Sequence, residues 1–194
     1  ATPVSNLPAL GRVPEFNLIE RSGQPLSLSD LQGKVWVADF IFTSCGGPCP
    51  IMTRRMGELR RTLKREALSG VLTVSISVDP LRDTPKQLTE YATIHKADDE
   101  DWLFLTGGEK EIRDLSIDGF KLPVEPEAGT DQITHSTRFV LVDRLGLIRG
   151  YYEIVLNEEL DLPRAEVIDQ PMPAETKRKL LGDIRAVLAE KASQ

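Results

Sequence analysis

What this 194-residue chain has little of bounds it first. It carries only two cysteines and two histidines, too few for a disulfide framework, and a four-ligand zinc module would have to recruit the poorly placed His95. It has no excess of positive charge: 24 Lys and Arg against 30 Asp and Glu leave a formal charge of -6, which argues against a nucleic-acid binder, whose footprint is basic. No apolar run reaches the roughly 18 residues of a membrane span. The first residues, ATPVSNLPAL, lack an initiator Met and the charged and apolar regions of a signal peptide. The chain is therefore expected to start after a removed signal or membrane anchor. Against these absences stand 40% hydrophobic residues, enough for a sizeable core, and a length that favours one domain over 1–194.

Both cysteines fall in one stretch, Thr43-Ser44-Cys45-Gly46-Gly47-Pro48-Cys49-Pro50. Val35 to Phe42 before it is β-branched and aromatic over a strand's length. After it, Met52, Met56, Leu59 and Leu63 recur at helical spacing, so the cysteines sit on a strand-to-helix turn. Pro50 suits a first helical turn, where its missing N–H costs nothing. The free N–H groups of that helix end favour an anion, which predicts a thiolate stabilised near Cys49. A Cys45–Cys49 bridge would close so small a ring that it stabilises the fold by only about 2 kcal/mol. It would be there to switch. The pair is either a redox couple or a soft-metal clamp.

Residues 1–14, with Pro3, Pro8 and Pro14, read as an extended lead-in. Phe16 to Glu20 and Pro25 to Leu28 form a short hairpin. The helix from Pro50 stops at Ser69-Gly70, and Val71 to Val78 is a second buried strand, which completes a parallel strand–helix–strand unit. A helix with Leu88, Tyr91, Ala92 and His95 on one face follows, then a strand at Trp102–Leu105 and a short helix over Glu109–Ile117. Lys121 to Thr134 is predicted to be a mobile loop. Thr137 to Val142 and Leu147 to Tyr152 make a β-hairpin across Asp143-Arg144-Leu145-Gly146. Asn157 to Pro173 reads as a surface excursion, and Glu175 to Glu190 as a closing amphipathic helix with Leu180, Leu181, Ile184, Val187 and Leu188 inward.

This order of elements, with a cysteine pair opening the first long helix, resembles the thioredoxin-like fold: a central mixed β-sheet flanked by helices, here with an N-terminal hairpin. Three motifs narrow it. Cys45-x-x-x-Cys49-Pro50, then Ser77-Val78-Asp79-Pro80-Leu81-Arg82-Asp83-Thr84-Pro85, then His135-Ser136 ahead of Phe139-Val140-Leu141-Val142-Asp143 are similar to the Sco/SenC family of copper proteins. The chain has Gly46 where the family usually has proline. The resemblance implies copper, as Cu(I) or Cu(II), held by Cys45, Cys49 and His135. It implies a metallochaperone rather than an enzyme, and as partner the copper-bearing subunit of cytochrome c oxidase or another copper or redox protein. It also implies an extracytoplasmic site of action, bacterial periplasm before mitochondrial intermembrane space.

Residue chemistry agrees. Ligands of parallel sheets gather beyond the strands' carboxyl ends, where Cys45 and Asp79 both belong, so Asp79 is expected near the thiols as a turn residue or a supporting group. His135 reaches that end only if its strand runs antiparallel to Val35–Phe42. Two thiolates suit Cu(I), and the imidazole adds affinity for Cu(II). The competing function is a thiol–disulfide oxidoreductase, with Cys45 and Cys49 as the redox-active pair and no need of His135. A peroxiredoxin is disfavoured, because its motif places Thr or Ser three residues before the peroxidatic cysteine, and here Phe42 and Gly46 hold those positions. Met52 and Met56 continue into a core stripe and are set aside. Arg54, Arg55, Arg60, Arg61, Lys64 and Arg65 read as the outer faces of the same helix, a solvated stripe or a dock for an acidic partner.

Overall fold

A computed structural model describes residues 7–130 and 133–190. Its elements in chain order are β1 (Gly11–Arg12), β2 (Asn17–Glu20), β3 (Pro25–Ser27), α1 (Leu28–Leu31), β4 (Val35–Ile41), α2 (Cys49–Arg65), β5 (Val71–Ser77), α3 (Pro85–Ile94), β6 (Trp102–Thr106) and α4 (Glu109–Asp114), which runs on as a π-helical turn, Leu115–Gly119. Then come β7 (Val124–Pro126), β8 (Ile133–His135), β9 (Arg138–Val142), β10 (Leu147–Glu153), α5 (Asn157–Leu160), α6 (Arg164–Val167) and α7 (Ala174–Ala189).

One eight-stranded sheet in the order β1-β10-β9-β4-β5-β6-β2-β3 forms the frame. Its centre is β4, all seven residues of which are buried. Parallel β5 lies on one side, with Val35 opposite Val71 and Ile41 opposite Ser77. Antiparallel β9 lies on the other, with Trp36 opposite Val142 and Ala38 opposite Val140. Buried on both faces, β4 lacks the apolar–polar alternation of a half-exposed strand, and only Asp39 interrupts its apolar run. The helix α2 presses Met52, Met56, Leu59 and Leu63 into the core, each at most 2% exposed, and each such side chain contributes about 1.5–3 kcal/mol of transfer free energy. Leu180, Leu181, Ile184 and Val187 of α7 are buried as their spacing predicts, while Leu188 is partly covered.

Three expectations are corrected. Within the lead-in, Gly11–Arg12 pairs with β10 as an edge strand, and residues 1–6 lie outside the described residues. The stretch assigned to a mobile loop folds back on itself, with Val124 opposite His135 and Pro126 opposite Ile133; Glu125 and Pro126, which suggested a loop, lie in β7 itself, and residues 131–132 lie outside the described residues. The stretch 157–173 is more than an excursion, because it forms α5 and α6 and inserts Val167 and Met172, at 0% and 2% exposure, into the core.

Candidate metal centre

The chain leaves the sheet at Phe42 and enters α2 at Cys49, with Pro50 in the first turn. The loop between is held by one buried carboxylate. Asp83 accepts from the Thr43 N–H at 3.0 Å and the Thr43 hydroxyl at 2.6 Å, and from the Ser77 hydroxyl at 2.6 Å. The Ser77 Oγ in turn accepts the Asp79 N–H at 3.0 Å. This clasp joins the loops beyond the carboxyl ends of β4 and β5. Burial pushes the Asp83 carboxyl up, against the three hydrogen bonds that favour its charge.

Because β9 is antiparallel to β4, His135, at the end of β8 just ahead of β9, arrives at the cysteine end of the sheet. Donor atoms of Cys45, Cys49 and His135 all lie within 4.8 Å of one another. All three side chains are buried, and both cysteines are free thiols. The imidazole Nε2 is 3.0 Å from Cys49 Sγ. Its Nδ1 is 3.0 Å from the Ser136 carbonyl oxygen, which can only accept, so in the neutral ring the proton sits on Nδ1 and the Nε2 lone pair faces the sulfurs. The Phe42 ring packs edge-on against the imidazole at 5.7 Å. Two sulfurs and one bare imidazole nitrogen are a soft and borderline donor set of the kind that fits copper, with the carbonyl as the supporting contact that orients the ring. The same pair of thiols can also close to a disulfide.

The two thiols are not alike. Cys45 is held below the usual thiol range, chiefly by a hydrogen bond from Cys49, and it also accepts the Gly47 N–H at 3.4 Å. Cys49 is pushed up, chiefly by burial and then by Cys45. The expectation of a stabilised thiolate at Cys49 is thus corrected: the acidic thiol is Cys45, and Cys49, fully buried at the helix start, is its donor.

Sequence reasoning missed Asp39. It lies within β4, fully buried, where Oδ1 accepts the Ser75 hydroxyl at 2.6 Å. Its Oδ2 has no hydrogen-bond partner among the described residues. Burial raises its pKa to about 7, opposed by the Ser75 bond and the field of His135, and its charge in turn pushes Cys49 up. A charged residue in the middle of an otherwise apolar strand was the available signal.

Asp79 is nearly buried, and its carboxylate is ion-paired to Arg82; it does not belong to the group of three clustered donors. His95 packs its ring on Tyr91 at 4.2 Å, away from the site, and Met52 and Met56 are core residues. Among the cationic residues of α2, Arg55 and Arg60 are corrected from outer-face to buried positions. Arg55 donates to both carboxylate oxygens of Glu159, at 2.9 and 2.6 Å, and Arg60 to Asp99, Asp101 and the Val71 carbonyl.

A curled mixed sheet with a dithiol and an imidazole gathered where its central strand meets the first long helix defines a thioredoxin-like protein with a metal-competent thiol centre. The SCO1/SenC family model matches residues 8–162, and the chain belongs to that family. The SCO1 protein homolog of Bacillus subtilis is 39% identical over 150 residues, 77% of each chain. BsSco, a member of the Sco family of cytochrome c oxidase assembly proteins in which a disulfide switch was identified, superposes with a TM-score of 0.76 at 31% identity, covering 98% of this chain and 99% of its own. Yeast Sco1 with copper bound superposes with a TM-score of 0.64 at 26% identity, covering 89% and 95%.

Proposed function

We propose that this protein is a copper-binding assembly factor that takes up one copper ion at Cys45, Cys49 and His135 and passes it to an acceptor, the copper-bearing subunit of cytochrome c oxidase or another copper or redox protein. The observation that carries this reading is the convergence of the three donor atoms within 4.8 Å, with Nε2 left bare by the Ser136 carbonyl. Copper is cargo here, and the protein's part is to present the donors. Ligation displaces the thiol protons, with Cys45 the readier to ionise. Burial at the site excludes competing water, and the clasp at Asp83 holds the cysteine loop for uptake and release. Asp79, held by Arg82, is assigned a supporting role in shaping the loop beside it. Yeast Sco1 with copper bound and the oxidase-assembly role of BsSco support the choice of metal and acceptor.

The test is metal analysis after desalting of the reduced protein loaded with Cu(I). One copper per chain is expected, none after oxidation of the pair. Full retention by the Cys45→Ser, Cys49→Ser double variant would sink the proposal. A second reading, thiol–disulfide exchange, is favoured by the split between an acidic Cys45 and a resolving Cys49 and by the switch identified in BsSco. Both readings call for an extracytoplasmic compartment, where a labile dithiol is cycled. No described helix is long and apolar enough to cross a membrane.

A further inference from the structure

One residue beyond Cys49, Pro50 begins to line a groove of about 420 Å³ between the first half of α2, the end of α3 and the chain after α6. Its walls include Arg54, Arg61, Lys96, Ile94 and Ile168, and its volume is that of a cleft able to take a small ligand or a few residues of peptide. Arg164 stands close enough to His95 for its positive field to add to the effect of burial in lowering that imidazole's pKa. Three cations therefore line the groove and a fourth, Arg164, acts on His95 in its wall, on a chain whose formal charge is -6.

These cations are poorly compensated. Among the described residues Arg54 meets only Asp169, at 2.6 Å with both side chains more than half exposed, a pairing worth little in water and easily exchanged. Arg61 lies in the field of Glu58, but the Glu58 oxygens are taken by Lys177 and the Met172 N–H. Lys96 and Arg164 enter no salt bridge among the described residues. Beside them Ile94 is 75% exposed, an apolar side chain with no cover from its own fold. Clustered charge of the sign opposite to the whole molecule, set around an exposed apolar residue along the helix that Cys49 opens, matches an acidic segment carrying an apolar side chain.

We propose, resting on the copper-transfer reading, that this groove seats an acidic polypeptide segment of the protein that exchanges copper at Cys45, Cys49 and His135. The stretch 157–173 acquires a purpose on this account, since Ile168, just after α6, forms part of the wall of the groove. The seated segment would dock beside Cys49 without occupying the donors.

The probe is the capped pentapeptide Asp-Glu-Leu-Glu-Asp, titrated into the reduced, metal-free full chain and followed by amide chemical shifts, with a Lys-for-acid counterpart as control. Shifts are expected at Gly57, Lys96 and Ile168, weakening as salt rises. The Arg61→Glu, Lys96→Glu double variant is expected to bind about tenfold more weakly or worse, as reversed charge at a docking rim demands. It should also retain copper like the parent, which separates this proposal from the copper reading: loss of copper in the parent would fail the latter alone. Equal peptide binding by parent and variant, equal binding of the basic control, or displacement by millimolar inorganic phosphate as complete as by peptide would overturn the acidic-segment assignment. So would concentration-dependent self-association of the parent that the variant loses, which would give the groove to a second copy.

Discussion

Replacing Asp39 by asparagine isolates a carboxyl that works against the fold at neutral pH. In the native chain its pKa is raised from 3.8 to about 7 by burial. A folded-state value above the unfolded one means a contribution to stability that is complete below pH 3.8 and is lost as pH rises through about 7. The gap is a little over three pH units, each worth 1.36 kcal/mol, so the loss totals about 4 kcal/mol. The substituted amide cannot titrate. It can keep the Ser75 hydrogen bond through its carbonyl oxygen, and it puts an unpaired NH2 group where Oδ2 stands, a pH-independent cost of about 1–3 kcal/mol. The decisive quantity is therefore a slope. Urea unfolding of the reduced, metal-free parent and of Asp39→Asn at half-unit steps from pH 4 to 8 should show the difference moving in the variant's favour by about 1.4 kcal/mol per pH unit up to near 7, then levelling. A difference that stays constant across the range would refute the argument, whatever its size.

The other predictions touch the site and its supports. His135→Ala should weaken Cu(II) by more than about 100-fold, beyond what loss of an orienting hydrogen bond costs, while the dithiol–disulfide potential stays near the parent's; competition titrations and redox equilibration read the two, and unchanged Cu(II) affinity together with turnover in disulfide reduction would favour the exchange reading. Asp83→Ala removes three hydrogen bonds to a buried carboxylate and should cost about 3 kcal/mol in urea unfolding, with faster amide exchange at Thr43 and Cys45. Glu159→Gln should destabilise by about 3–5 kcal/mol by leaving the buried Arg55 guanidinium without its counter-charge, whereas Arg55→Leu with Glu159→Leu should recover most of that loss.

The elements legible in the sequence are those whose signal is local or topological. The strand at 35–42 and the helix opened by the cysteines announced themselves by composition and by the spacing of Met52, Met56, Leu59 and Leu63. The placement of His135 needed only one topological step, because a strand antiparallel to β4 must begin where β4 ends. What escaped was set by distant partners. Arg55 and Arg60 carry no local mark that separates them from Arg54 and Arg61. They are buried because Glu159 and Asp99, 104 and 39 residues away, meet them. The hairpin of β7 and β8 hid in the same way, since a two-stranded ribbon with a Pro at its end has the composition of a loop.

The misassigned thiol shows which of two physical effects governs this site. A helix end stabilises a nearby anion by about 0.3–2 kcal/mol, and that alone predicted an acidic Cys49. Removing the same sulfur from water raises a thiol by as much as about 3–5 pH units when burial is complete, which is about 4 kcal/mol or more. Cys49 is 0% exposed and Cys45 is 8%, so the penalty falls mainly on Cys49, and the nearby Asp39 charge adds to it. The helix end still acts, but through geometry: it fixes Cys49 as the inner sulfur, its S–H directed to Cys45 and its Sγ 3.0 Å from the His135 Nε2. Cys45, on the loop and nearer the surface, is left as the sulfur an incoming copper ion or a partner's thiol meets first. On the proposed copper-transfer function, entry at Cys45 predicts that a Cys45→Ser variant slows copper uptake more than Cys49→Ser does, a comparison that stopped-flow loading of the reduced protein with Cu(I) decides. Equal rates, or a slower Cys49→Ser, would show that entry does not begin at Cys45.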